Sequence, residues 1–234
     1  MEPEVSAVVL DIEGTTGSAA HVHEQLFPFA RDRFAGWLAA HRGEAQHEEL
    51  LREIRMHTGK PGMTGSEAAA TLAAWSDDDV KAPPLKKIQG LIWAEGYADG
   101  SLKGHVYDDV PTAFVRWREQ GVELYIYSSG AVQAQHDWFA HTPHGDLSVF
   151  LTGYFDLDSA GGKRERSSYE AITRAIRAPA SRTLFLSDVR EELDAATGAG
   201  WQAIGVRRPD DPREADIEGH PTVGTLDEVR RRGC

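Results

Sequence analysis

From residue 105 to about 206 the chain repeats one pattern, a segment with helical periodicity followed by a short run of β-branched and aromatic residues. That alternation restricts the fold more than any other feature. The runs span 122–127, 151–155, 183–187 and 201–206. Between them lie helical patterns over 109–120, 132–140, 167–176 and from Asp188 to about 198 or 200; a loop is expected at 159–163. Past Val223 the tail has room for at most one more short element. Strands alternating with helices predict parallel βαβ units with right-handed crossovers, hence an α/β fold with a doubly wound parallel sheet. Val5, Ala7, Val8, Val9 and Leu10 add a strand at the amino terminus.

No strand pattern occurs between that first strand and residue 105. Leu26, Phe29, Ala30, Phe34, Trp37 and Leu38 predict one amphipathic helix over 24–41 with Pro28 near its first turn. Leu50, Leu51 and Ile54 mark a second helix, broken by Gly59, Pro61 and Gly62. A third runs from Ser66 to about Asp77, and Pro84 opens a fourth through Leu85, Ile88, Leu91 and Ile92. The expected organisation is an α/β core of 1–15 and 105–234, with 16–104 inserted as an all-helical cap. Gly100 and Gly104 bracket the return crossing, a candidate hinge or exposed turn.

The first strand ends in Asp11-Ile12-Glu13-Gly14-Thr15-Thr16. In a parallel sheet ligands bind at the carboxyl ends of the strands, so this edge presents two acids. Close carboxylates repel unless a cation or a shared proton relieves them, and a hard divalent ion with oxygen ligands, Mg²⁺, suits the pair. The other strand ends and adjoining loops contribute Ser128 and Ser129, Lys163, and Asp188. Together these types suit phosphoryl transfer: a carboxylate to attack phosphorus, a second acid to move protons, and hydroxyls with a lysine to hold phosphate oxygens. His21 and His23, two residues apart, belong to a polar face rather than a metal site beside oxygen-only acids. Trp75, Trp93 and Trp138 fall on helix faces as packing residues.

A net charge of −12 argues against nucleic acid, since the only basic run is the tail from Arg230 to Arg232. Cys234 is the single cysteine, which excludes a disulfide framework and fits a cytoplasmic protein. No signal peptide or membrane span is evident, and no coiled-coil seam suggests anything beyond a monomer.

The four segments, in this order, resemble the haloacid dehalogenase-like hydrolase superfamily. In detail they resemble its enolase-phosphatase (acireductone synthase) family of methionine salvage. That likeness rests on Asp11-Ile-Glu-Gly-Thr-Thr16, on Leu26-Phe-Pro-Phe-Ala-Arg31, and on Tyr125-Ile-Tyr-Ser-Ser-Gly130. It rests also on Gly162-Lys163 with Ser168-Tyr169, and on Phe185-Leu-Ser-Asp188 with Glu191-Glu-Leu-Asp-Ala-Ala196. The resemblance implies Asp11 as nucleophile and metal ligand, and Glu13 at the metal site and as acid/base. It implies Asp188 as third ligand to one Mg²⁺ per chain, with Glu191 and Glu192 behind it. Ser128, Ser129 and Lys163 would bind phosphate. The implied substrate is 2,3-diketo-5-methylthiopentyl-1-phosphate, enolised and then dephosphorylated; another phosphatase of the superfamily acting on a different small phosphate ester is the alternative.

Overall fold

The expected alternation folds into one parallel sheet. In the computed structural model, which describes residues 5–209, 211, 213 and 217–229, six strands stand in the order β3-β2-β1-β4-β5-β6. They are β1 (Ala7–Leu10), β2 (Glu123–Tyr127), β3 (Gly153–Phe155), β4 (Thr183–Ser187), β5 (Gln202–Val206) and β6 (Thr222–Val223), and every pairing is parallel. The strand order reverses at β1, which is therefore the switch point where ligands bind in such sheets. The crossovers carry α7 (Asp109–Glu119), α8 (Val132–Ala140), α9 (Leu157–Ala160), α10 (Arg166–Ile176) and α11 (Arg190–Gly198). On one face Val9, Tyr127, Phe185, Tyr169, Ile172, Leu193 and Trp201 form a single apolar cluster.

The chain divides into two compact units, 1–19 with 104–234, and 20–103. Residues 16 and 17 stay with the sheet because their amides close a turn on the Ile12 carbonyl, at 3.0 and 2.8 Å. The second unit contains α2 (Phe27–Arg31), α3 (Phe34–Ala40), α4 (Ala45–Thr58), α5 (Gly65–Asp77) and α6 (Pro83–Ala98), around a core of Phe34, Trp37, Leu50, Ile54, Leu72, Ile88 and their neighbours. Trp75 and Trp93 pack against it, and in the α/β unit Trp138 is buried.

Three local readings need correction. The single helix over 24–41 is a short turn α1 (Ala19–His21), a π-helical stretch Val22–Leu26, then α2, a break at Asp32 and Arg33, and α3. Pro28 has no N–H, so the turn before it loses an i→i−4 donor, and a wider turn accommodates that loss. The loop at 159–163 begins as the helical turn α9, because Asp156 and Ser159 make a capping box. Past Val223 the described residues hold one short element, as expected, the 3₁₀ turn Leu226–Glu228, but strand β6 just before it was not anticipated. A two-residue strand is too short to show any periodicity. Arg230–Arg232 and Cys234 lie outside the described residues.

Candidate active site

Register sets the site. Leu10 stands level with Ile126 of β2 and Leu186 of β4, so Asp11 emerges between the ends of two neighbouring strands. Its amide donates to the Leu186 carbonyl at 3.0 Å, which continues the ladder by one residue and buries the carboxylate at 5% exposure. Asp11 Oδ1 accepts from the Ile12 amide at 2.7 Å and pairs with Lys163 Nζ at 2.7 Å. Among the described residues Oδ2 has the Ser187 hydroxyl as its hydrogen-bond partner, at 3.5 Å. That hydroxyl has one proton and gives it to Glu192 Oε2 at 2.9 Å, so Oδ2 is the lightly bonded oxygen of the pair.

Lys163 also pairs with Glu192 Oε2, at 2.8 Å. Its loop is fastened at three successive carbonyls. Tyr127 Oη donates to the Gly161 carbonyl (2.8 Å), Ser168 Oγ to that of Gly162 (2.8 Å), and Tyr169 Oη to that of Lys163 (2.6 Å). Gly161 has φ +101°, a region that favours glycine, and a Cβ there would also meet Ser168 Oγ at 2.7 Å. The ammonium is thus delivered to Asp11 by a rigid loop.

Asp188, one residue past β4, is buried and pairs with the Arg213 guanidinium. Gly14 has φ +72°, and a Cβ on it would lie 2.5 Å from Asp188 Oδ2. The glycine therefore serves both the turn and the approach of Asp188 to the Asp11 loop. Asp211 accepts from Arg213 Nε at 2.9 Å and from Arg207 Nη1 at 3.1 Å, and Arg207 Nη1 also reaches the Asp188 carbonyl at 3.3 Å.

Burial pushes the Asp11 carboxyl up from 3.8; Lys163 opposes the shift, Glu192 and Asp188 reinforce it, and the outcome is about 7. For Lys163, burial alone would lower the ammonium's pKa, but Asp11 and Glu192 outweigh burial and raise it. The pair is therefore a firmly protonated lysine among more carboxylate charge than it neutralises.

The remaining candidates are placed as follows. Ser128 is buried, and its amide is already engaged by the Phe155 carbonyl at 3.1 Å. Any anion contact from Ser128 must therefore come from its hydroxyl. Ser129 is exposed. The first amide of α8, Val132 N, donates to Asp156 Oδ2 at 3.2 Å. Glu13 is half-buried in the turn, paired in a parallel bridge with Gly17. Glu191 is exposed, whereas Glu192 faces Lys163. His21 is turned to the Lys103 carbonyl at 3.2 Å. Among the described residues no three His, Cys, Asp or Glu side chains converge as a metal cluster.

The family model for haloacid dehalogenase-like hydrolases matches residues 5–200. The chain is 45% identical over 224 residues to the enolase-phosphatase E1 of Nocardia farcinica, covering 96% of each. It is 44% identical over 227 residues to that of Frankia alni, covering 97% of this chain and 96% of the relative. The chain belongs to the haloacid dehalogenase-like hydrolases and, within them, to the enolase-phosphatase E1 family. Among solved structures, the UTR4 protein of Saccharomyces cerevisiae superposes with a TM-score of 0.80 at 31% identity, covering 95% of this chain and 98% of that one. CbbY from Rhodobacter sphaeroides, in complex with phosphate, shares the fold at a TM-score of 0.61 and 17% identity, covering 96% of each chain.

In this enolase-phosphatase family member, sequence reading missed Ser187, Arg207, Arg208, Asp211 and Arg213. Arg207-Arg208 directly after an apolar strand is an unusual pair at a sheet's functional edge and could have been singled out. Ser187 offered no signal, since a serine closing a strand is commonplace. No helix among the described residues is long and apolar enough to cross a membrane.

Proposed function

We propose that the chain is a magnesium-dependent enolase-phosphatase acting on 2,3-diketo-5-methylthiopentyl-1-phosphate. It would enolise the diketone and then release phosphate, leaving 1,2-dihydroxy-3-keto-5-methylthiopentene. The observation that carries the reading is the buried Asp11–Lys163 pair at 2.7 Å, in a chain matching enolase-phosphatases over nearly all its length.

Asp11 is the nucleophile. Lys163 holds Oδ1, which leaves Oδ2 free to attack phosphorus. The ester oxygen departs with a proton from Glu13, and an aspartyl phosphate remains on Asp11. Glu13 then takes a proton from water, whose oxygen attacks phosphorus and regenerates the carboxylate. Lys163, with Ser128 and Ser129, holds the phosphate oxygens. In the enolisation half, a base removes a proton from the carbon that bears the phosphate, and the neighbouring ketone oxygen takes up a proton to complete the enol; Glu13 is the candidate base.

The donor set fits Mg²⁺. It is oxygen only; burial, reinforced by Glu192 and Asp188, drives the Asp11 carboxyl upward, and a hard cation relieves that carboxylate charge. Asp11 and Asp188 would hold it through their side chains and Glu13 at its side chain or backbone carbonyl. When bound, Mg²⁺ shields the incoming phosphate from these carboxylates and stabilises transition-state charge. The helical unit would serve as the cap that selects the methylthio tail, and the enzyme would work as a monomer.

The test is to supply the diketo phosphate with Mg²⁺ and record ultraviolet absorbance of the enol alongside phosphate release. The expected result is enol absorbance that rises before phosphate appears. Phosphate release with no enol, or no reaction with this substrate, overturns the reading. Enolisation unchanged in Glu13→Gln, with phosphate release lost, removes Glu13 as the carbon base.

A further inference from the structure

Arg208 lies just past the end of β5 and is 3% exposed. Nε and Nη2 both donate to the carbonyl of Thr15, at 2.9 and 2.5 Å. Nη1 donates to Asp109 Oδ2 at 2.7 Å, and Cζ stands 4.2 Å from the centroid of the Tyr107 ring. Asp109 Oδ2 also accepts from the Leu226 amide at 2.5 Å. Burying a guanidinium costs several kcal/mol of hydration unless it is paired and hydrogen-bonded. Asp109 neutralises it here, and two of its donors converge on a single backbone carbonyl. That forked grip needs arginine, because lysine presents a compact ammonium with no fork.

Thr15 belongs to the turn that follows Asp11. The amides of Thr15, Thr16 and Gly17 all donate to the Ile12 carbonyl, at 3.1, 3.0 and 2.8 Å. These bonds close the turn on itself but leave its attitude to the sheet unset. Outside attachments set it, among them the Thr15 carbonyl on Arg208, the Thr16 carbonyl on the Tyr107 amide at 3.1 Å, and the Ser18 amide on His105 Nδ1 at 3.0 Å. The Tyr107 ring is also the one stacked under the guanidinium. Adjacent carbonyls of the nucleophile's turn are thus gripped by one assembly of Arg208, Tyr107 and Asp109.

We infer that Arg208 is a positioning residue for phosphoryl transfer: by holding the Thr15 carbonyl it fixes the turn that sets Asp11 and Glu13 against the phosphate. The inference rests on Asp11 as nucleophile, from the reading above, but only on its phosphatase half. A small displacement at such a centre costs on the order of 10²-fold in rate.

The experiment uses the full chain with Mg²⁺ and p-nitrophenyl phosphate, with folding followed by circular dichroism and urea unfolding. Arg208→Lys is expected to lower kcat about 10- to 100-fold while KM moves less than about threefold. As a control, Leu72→Ala in the helical core is expected to lose stability with kcat within about threefold of the parent. Tens of millimolar guanidinium is expected to restore activity to Arg208→Gly, and ammonium at the same concentration is not. Wild-type kcat in folded Arg208→Lys overturns the assignment. So does equal rescue by the two ions, or a loss of kcat that only follows the unfolded fraction. A variant that fails to fold even with guanidinium present makes Arg208 a purely structural residue and also overturns it. Wild-type hydrolysis of the aryl ester without reaction of the diketo phosphate defeats the functional reading alone and leaves this test intact.

Discussion

The helical unit and the carboxyl edge of the sheet bury opposite kinds of side chain. In the helical unit the interior is an apolar cluster running from Ala30 to Ile92, and among its described residues the buried polar side chains are His47 and Gln89, with no buried Asp, Glu, Lys or Arg. At the sheet edge Asp11, Asp188, Glu192 and Arg208 are all buried, with Lys163 nearly so. An apolar core is stabilised by non-directional contacts, so its members are individually replaceable at a modest energy. Buried ions are tolerated only with specific partners, and removing one partner leaves an uncompensated charge. The first region holds shape and the second holds chemistry; substitutions should separate these two properties.

The largest separation is expected from Asp11→Asn. Phosphate release should fall by at least about 10³-fold, near 4 kcal/mol of transition-state stabilisation, with the far-ultraviolet circular dichroism unchanged. Residual turnover above that level would mean the buried carboxylate is not the nucleophile, and the contrast between the regions would collapse.

Leu72, fully buried in the helical core, provides the reverse case. Leu72→Ala should cost about 2–5 kcal/mol in urea unfolding, yet leave aryl phosphate turnover per folded molecule unchanged. A fall in kcat among folded molecules would show that the helical core also sets the chemistry.

A pH series sharpens the electrostatic side. Asp11 titrates near 7 in the folded protein against 3.8 for an ordinary aspartate, so the native state binds this proton more tightly than the unfolded chain does. Its contribution to stability is then fully present below about pH 4 and is lost as the pH rises through 7, at about 1.4 kcal/mol per unit before screening. Without Mg²⁺, Asp11→Asn should therefore become steadily more stable than the parent between pH 4 and 7, by a few kcal/mol. Saturating Mg²⁺ should shrink that difference. A pH-independent gap would show that the excess carboxylate charge is relieved by some other group.

The smallest effect belongs to the capping box of α5, where Thr64 Oγ1 accepts from the Glu67 amide at 3.3 Å and Glu67 answers at the Thr64 amide at 2.7 Å. Thr64→Ala should cost about 1 kcal/mol of stability, measured by urea unfolding, with no change in kcat.

The parts of the site that were legible from sequence are those attached to regular elements. Asp11, Asp188 and the Ser128-Ser129 turn each follow directly from a strand end, and Lys163 stands in a loop adjoining one. Glu192, expected behind a metal, shares Lys163 with Asp11 and takes the Ser187 proton, contacts that no local pattern announces. The π-helical entry before Pro28 was invisible because apolar spacing hardly distinguishes a π turn from an α turn over five residues.

Periodicity and turn chemistry, which act between near neighbours, were enough to give the alternation of strands and helices, the all-helical insertion and the acids at the end of β1. Contacts between residues more than a hundred positions apart were settled by folding. Arg208 reaches Thr15 across 193 residues, and Ser187 lies 3.5 Å from Asp11 across 176. Such pairings depend on strand order and register, and on which carbonyl is left without a partner when a turn closes. No local pattern records them, because each partner alone is an ordinary residue in an ordinary place.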